Sequence, residues 1–350
     1  MKHLHITKKL VLVLLVLTTA VACSKDDSNG SGPNEPIETS FYFLTYNETN
    51  GIENYALLVN DNVREIEQLT DYQAVSIDVE NGDVHIAGYY KNNTVWNAAY
   101  WVNGASQPMP ASDIRTFTTD NVFVNGKSFI TGRTVSPLVE IKAKLWVDGT
   151  EQTLETPASY NSFANAIAVS NTTTLIGGWI NEPNGNSIAV LWENGTLQQL
   201  TDGSRNAIIQ DVFIENTDTY VAGYDTSNSN FIGKVWKNGV ELFEISTPGK
   251  SNIIQSFFVE DGDVYSLSTT LALDGSNIRT VDYYKNGVFQ YELVRSTTSV
   301  AASKIMVMDN AVFSLGGFVD EQGIGRSQFF KDQEIFEDFN DNLIFDFVIE

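Results

Sequence analysis

The sequence predicts an all-β chain folded as a seven-bladed β-propeller of four-stranded antiparallel blades, with the first blade closed by the C-terminal strand. Three observations predict this. A hairpin with a Trp three residues before a Gly returns at intervals of 43 to 48 residues, and a Gly-aromatic strand and an apolar strand return in phase with it. A period in the forties with several strand signals per period marks a propeller rather than a helical solenoid.

The hairpin reads IAVLWENGTLQQL at 188–200, with close variants at 100–109, 145–154, 235–245 and 283–293 and looser ones at 57–66 and 329–338. Aligned, its central column is Leu58, Trp101, Trp146, Trp192, Trp236, Tyr284 and Phe330. Small residues stand three positions earlier at Ala98, Ala143, Ala189 and Gly233, leaving room for a neighbouring sheet. The Trp column is therefore expected to pack between blades. The Asn-Gly and Asp-Gly pairs at 81–82, 103–104, 125–126, 148–149, 194–195, 238–239, 261–262 and 286–287 suit two-residue turns with positive φ. The connections are hairpins, and helices have no room.

The second motif is DVHIAGY (83–89), SFITGR (128–133), TLIGGW (174–179), TYVAGY (219–224) and VYSLST (264–269), completed by SFYFLTY (40–46) and VFSLGGF (312–318). The third is an apolar strand before six of these and again at the end, LIFDFVIE, finishing at Glu350. Three strands plus the arm after each Asn-Gly turn make four per blade. The chain thus begins on a second strand and ends on a first strand, so both termini lock one blade and leave no open edge. Alternation in that last strand sends Leu343, Phe345, Phe347 and Ile349 toward the core.

IAVLWENGTLQQL followed by NAIIQDVFIENTDTYVAGY resembles the bacterial extracellular repeat called HAF, with its Ala-Phe-Leu-Trp-x-Asn-Gly and Val-Val-Gly-Tyr strands. The order of Gly-Gly, hairpin and inner strand is similar to kelch repeats, whose blades run from an inner first strand to an outer fourth. The resemblance spans residues 40–350 and implies fold rather than chemistry. The HAF stretch Ile-Asn-x-x-Gly-x-Val is present only as variants such as VENGDV at 79–84.

Residues 1–22 read as a lipoprotein signal: Lys2, Lys8 and Lys9, an apolar run from Leu10 to Leu17, then Ala20 and Ala22 before Cys23. That run is too short to cross ~30 Å of hydrocarbon. Cys23 is the only cysteine. An ordinary Ala-x-Ala cleavage would leave it as a free thiol in an oxidising compartment, whereas acylation explains its position. Residues 23–39 are rich in Ser, Asn, Gly, Pro and acid, a solvated tether. Their Ser-Lys-Asp-Asp start resembles the acidic export tag of surface-exposed lipoproteins of the Bacteroidetes. It implies an outer-membrane lipoprotein facing outward, with a periplasm-facing placement as the alternative.

The chain carries 21 Lys and Arg against 44 Asp and Glu, a net charge of −23, and loses three more positive charges with the leader. Such a surface repels phosphate backbones and anionic headgroups, which argues against nucleic acid and against membrane contact other than through the lipid. His85 is the only histidine after the leader, so zinc sites built on His and Cys are excluded by count. It falls in a mostly apolar strand column with Tyr42, Phe129, Leu175 and Tyr220 and reads as packing. No cofactor is implied. DFNDN at 338–342 carries oxygens that would suit calcium, but turn chemistry explains it.

With tight turns on one face, the longer connections, such as 155–164, 179–188 and 270–279, fall on the other, where propellers bind. Two columns lie there. One is polar in all seven units: Asp71, Arg115, Asn161, Asn206, Ser251, Ser299 and Asp341. It either rings the channel mouth or solvates strand starts. The other follows the second-strand Gly: Tyr46, Tyr89, Arg133, Trp179, Tyr224, Thr269 and Phe318, with Trp96 nearby. Its aromatics either offer stacking platforms for sugar rings or pack the blades. Inner strands also carry Asp78, Asp120, Asp211 and Asp346, with Lys304 at a similar place.

Two readings follow. One is a monomeric, lipid-anchored, non-enzymatic propeller whose long-loop face binds a glycan or an envelope protein, through Tyr46, Tyr89, Trp96, Trp179 and Tyr224 and the polar Asp71, Arg115, Asn161, Asn206 and Asp341. The other is a carbohydrate-active hydrolase or lyase using paired carboxylates at the channel mouth. Lipid attachment is testable on its own: a fatty-acid analogue fed to expressing cells should label the wild type and not Cys23→Ala, and equal labelling of both, or of neither, removes it.

Overall fold

The structure, a computed structural model, describes residues 39–49, 52–60, 62–68, 71–110, 114–138, 140–182, 185–227, 230–339 and 342–350. The leader, Cys23 and the tether up to residue 38 lie outside them, as does Asp341. Every regular element among the described residues is a strand, and the strands form seven separate four-stranded antiparallel sheets. The chain is a seven-bladed β-propeller. Blade 2 shows the pattern from channel to rim: Gln73–Glu80, Asp83–Asn92, Val95–Val102 and the short Ala105–Gln107.

Blade 1 is assembled from both ends of the chain. Leu343–Ile349 pairs antiparallel with Phe41–Thr49, with Phe41 opposite Ile349 and Phe43 opposite Phe347. Ser40 and Glu350 extend the pairing, each donating its backbone N–H to the other's carbonyl at 2.7 and 3.0 Å.

The last strand departs from simple alternation. Leu44 stands opposite Asp346 and Thr45 opposite Ile344, so Phe345 is an extra residue, a β-bulge. The bulge inverts the phase before it. Ile344, Phe347 and Ile349 are buried, whereas Phe345 is 43% exposed and not in the core as the alternation had implied.

All six other inner strands bulge at the same height, at Val75, Thr119, Asn165, Gln210, Gln255 and Ser303. This explains the glycine of the second motif in blades 2 to 5, whereas blades 1 and 6 carry Thr45 and Ser268 at the corresponding place. The bulge pushes a carbonyl of the inner strand toward the facing residue, so a Cβ on Gly132 or Gly178 would lie 1.9 Å from the oxygen of Phe117 or Phe163. No side chain fits there.

The Asn or Asp of each hairpin turn has a second task beyond its positive φ of 45–56°. In all seven blades its Oδ1 accepts the backbone N–H that starts the second strand, at 2.8–3.0 Å: Asn60 from Phe41, Asn103 from Val84, Asp148 from Ser128, Asn194 from Thr174, Asn238 from Thr219, Asn286 from Val264 and Asp332 from Val312. Gly in that place would allow the turn but lose the bond.

The core is divided among the seven spaces between blades. Trp146 packs with Ala98 and Tyr100 of the preceding blade, Trp192 with Ala143 and Leu145, and Trp236 with Ala189 and Leu191. The indole N–H of Trp101 and of Trp192 donates to Glu67 and Glu155 carbonyls of the preceding blade at 3.1 and 2.7 Å. Phe43 and Phe347 close the ring against Phe313 and Phe329 of blade 7. Outer strands such as Asn62–Glu65 and Thr150–Thr153 are short, polar and exposed, which blunts the rim against edge pairing.

Deleting Leu343–Glu350 removes Ile344, Phe347, Val348 and Ile349 from burial, each worth about 1.5 to 3 kcal/mol, and bares the inner edge of Phe41–Thr49. The truncated chain should lose several kcal/mol and aggregate; a melting curve that matches the full chain contradicts this closure.

Candidate functional site

Two regions gather chemistry: the channel wall and the loop-side mouth above it. The inner strands enclose a channel cavity of about 470 Å³. The residue after each bulge reads Ser76, Asp120, Ala166, Asp211, Ser256, Lys304 and Asp346 from blade 2 round to blade 1.

Most of these side chains reach the next blade. Asp346 accepts the Ile77 N–H at 3.0 Å, Asp120 that of Ile167 at 2.9 Å and Asp211 that of Phe257 at 2.9 Å. Ser76 donates to Asp120 at 2.7 Å, and Lys304 meets Asp346 at 2.8 Å. Ala166 has nothing to offer, and the Asn165 side chain bridges blades 4 and 5 instead, donating to the Ile209 carbonyl at 2.7 Å. One turn deeper, Asp78 accepts the Phe123 N–H at 2.6 Å. Asp120, Asp211 and Asp346 each also cap the amide that follows them in sequence. Both oxygens of these three carboxylates are thus engaged, as struts between blades.

Burial pushes the Asp120 carboxyl up to about 7 and that of Asp211 up to about 6, although their amide donors pull the other way. Asp78 is raised for the same reason. Burial opposes the Lys304 charge, but Asp346 and Asp120 outweigh it and raise its pKa.

The mouth is different in kind. Phe117 lies directly across from Arg133 in blade 3, and Phe163 across from Trp179 in blade 4. Trp179 stacks face to face on Phe163, centroids 3.8 Å apart and planes 11° apart. The Arg133 guanidinium lies over the Phe117 ring at 5.2 Å and over the Phe163 ring at 5.8 Å. Tyr89 of blade 2 meets Phe117 edge-on at 5.1 Å and Trp96 at 5.5 Å. The result is an arc, Trp96, Tyr89, Phe117, Arg133, Phe163, Trp179, across three adjacent blades, every member partly exposed. Burial raises the Tyr89 pKa and lowers that of Arg133.

Of the aromatics singled out in the sequence, Tyr89, Trp96 and Trp179 belong to this arc. Tyr46 and Tyr224 do not: Tyr46 packs with Tyr55 and Phe345, and Tyr224 edge-on with Phe231. The described members of the polar column do not line the channel cavity. Asn161, Asn206 and Ser251 reach back to the preceding blade, accepting the N–H of Ile141, Ser187 and Phe231 at 2.8–3.1 Å. Arg115 is exposed, and Asp71 is exposed at a positive φ of 46°. Phe117 and Phe163 were not singled out. Their signal is an aromatic on the first strand opposite the second-strand column, in blades 3 and 4 only.

His85 is buried, stacked on Phe123 at 3.7 Å and hydrogen-bonded to the Tyr100 hydroxyl, and burial lowers its pKa. Among the described residues no group of three or more His, Cys, Asp or Glu is placed to hold a metal ion.

No protein-family model matches the chain, and no curated protein matches it. Solved structures do. A prolyl endopeptidase is 8% identical over 88% of this chain and 49% of its own, with a TM-score of 0.51. A Trypanosoma rangeli sialidase in complex with 2,3-difluorosialic acid is 12% identical over 83% of this chain and 57% of its own, TM-score 0.47. The β-propeller domain of the Trilobed protease from Pyrococcus furiosus is 13% identical over 86% of this chain and 99% of its own, TM-score 0.48. The chain spans 49% and 57% of the length of the first two, and the likeness is one of fold.

The channel acids give a pH prediction. Asp120 and Asp211 bind protons in the folded state above the ~3.9 of an unfolded aspartate, so folding takes up protons between about pH 4 and 7. Their contribution is full below the unfolded value and is lost as pH rises through the folded values. The melting temperature should therefore fall from pH 5 to pH 8, and Asp120→Asn should flatten the slope; a slope unchanged by that substitution counts against it.

Proposed function

We propose that the protein is a binding module of the bacterial cell envelope, tethered by lipid at Cys23, whose loop-side mouth holds a glycan on the arc from Trp96 to Trp179. The observation that carries this is the arc itself. Partly exposed rings on blades 2, 3 and 4, edge-on from Trp96 to Phe117 and face to face at Phe163 and Trp179, line one stretch of the mouth, and aromatic side chains supply contact area at little cost in conformational entropy. Sugar rings, with apolar C–H faces, suit such a surface.

The engagement of the channel carboxylates also supports binding over hydrolysis. A general acid and its partner need oxygens that reach substrate, and Asp120, Asp211 and Asp346 spend theirs on backbone amides and Lys304. An envelope-protein ligand on the same face is the competing occupant.

The test is a titration against a panel of envelope and plant polysaccharides, read by tryptophan fluorescence. At least one should bind, and Trp179→Ala or Trp96→Ala should weaken it about tenfold. Lys127→Ala, exposed on the opposite turn face, should change nothing. Binding that survives both tryptophan substitutions, or no binding to any member, overturns the reading.

A further inference from the structure

Arg133 is the odd member of its column. The equivalent place holds Tyr46, Tyr89, Trp179, Tyr224 or Phe318 in five other blades, and any of these would fill the space without a charge to desolvate. Its guanidinium is held over two rings, Phe117 and Phe163. Rings satisfy its faces, not its N–H edge, where five donors lie in one plane. Among the described residues most cations form ion pairs, for example Lys144 with Glu151, Lys234 with Asp225 and Arg326 with Asp320. Among the described residues Arg133 has neither a carboxylate partner nor a hydrogen-bond acceptor, in a chain with 44 acids to 21 bases. Two further cations stand close by in the fold. Lys91 lies 5.6 Å from the Trp96 ring, and Arg115 is two residues before Phe117 on the same face of its strand. Neither has an ion pair among the described residues.

We infer that Arg133 is a carboxylate-recognition residue at the mouth, and that the ligand is an acidic glycan whose uronate carboxylate meets the guanidinium edge while its sugar ring lies on the neighbouring aromatics. This rests on the glycan-binding reading above and adds the ligand's charge. The two rings flank the guanidinium, and its paired N–H groups match the two oxygens of a carboxylate. The surrounding acidity of the chain repels anions elsewhere, which confines such a ligand to this arc.

The experiment compares uronate oligomers with their methyl esters, which keep the ring and remove the charge. Oligogalacturonate, oligomannuronate and hyaluronan oligomers, each beside its ester, are titrated into the whole protein and into Arg133→Gln and Arg133→Lys. At least one acid should bind wild type about tenfold or more tighter than its ester. Arg133→Gln should erase that preference, and Arg133→Lys should restore part of it. If Arg133→Gln does not fold, the acid-to-ester ratio on wild type decides alone. Equal binding of acid and ester, still lost in Trp179→Ala, overturns the carboxylate inference and leaves the glycan arc standing. No binding by acids, esters or any neutral glycan overturns both.

Discussion

Each inner strand carries one extra residue opposite its neighbour, and all seven bulges sit at one height around the channel. The bulge adds twist where seven sheets must converge. It also turns the next side chain toward the adjacent blade, where Asp346, Asp120 and Asp211 find amide donors. Without the bulge those carboxylates would fall on the other face of their sheet, and the contacts that bind blade to blade at the axis would not form. The same displacement forces the glycines at 132 and 178 and sets Arg133 and Trp179 next to them at the mouth.

Packing and polar contacts divide the work of holding the ring. Toward the rim, large aromatics fill the spaces between sheets, Trp146 on Ala98 and Trp192 on Ala143, and this burial supplies most of the stabilising free energy. Near the axis the residue after the bulge is polar in six blades, and most of these side chains bridge the sheets. Buried acids there are tolerated because amides and Lys304 meet them, and a carboxylate so supplied contributes to orientation more than to net stability.

Much of this was legible in the sequence because it is written once per blade. The Asn-Gly turn, the Trp and the Gly-aromatic strand each answer a constraint that every blade shares, and the phase of the first and last strands predicted closure. The bulges were not legible. A bulge is a property of backbone pairing, and although its extra residue is polar in five blades, at Thr119, Asn165, Gln210, Gln255 and Ser303, it is Val75 and Phe345 in the other two. That is why Phe345 was assigned to the core. The mouth was half legible. Tyr89, Trp96 and Trp179 stood in or beside a conspicuous column, but Phe117 and Phe163 lie on strands whose apolar residues are otherwise explained by burial.

The asymmetry of the mouth follows from the same logic. Blade-to-blade packing imposes equal demands at every position of the ring, so a feature confined to blades 2, 3 and 4 is not required by closure. Blade 6 manages with Thr269 and Ile253 at the places where blade 4 stacks Trp179 on Phe163, and blade 7 with Phe318 and Val300. The ring therefore closes without an aromatic pair. Arg133 extends the point, since the rings below it attract the charge but leave the N–H edge of the guanidinium without an acceptor among the described residues. A side chain that closure does not need and that burial penalises is accounted for by what it meets on the solvent side.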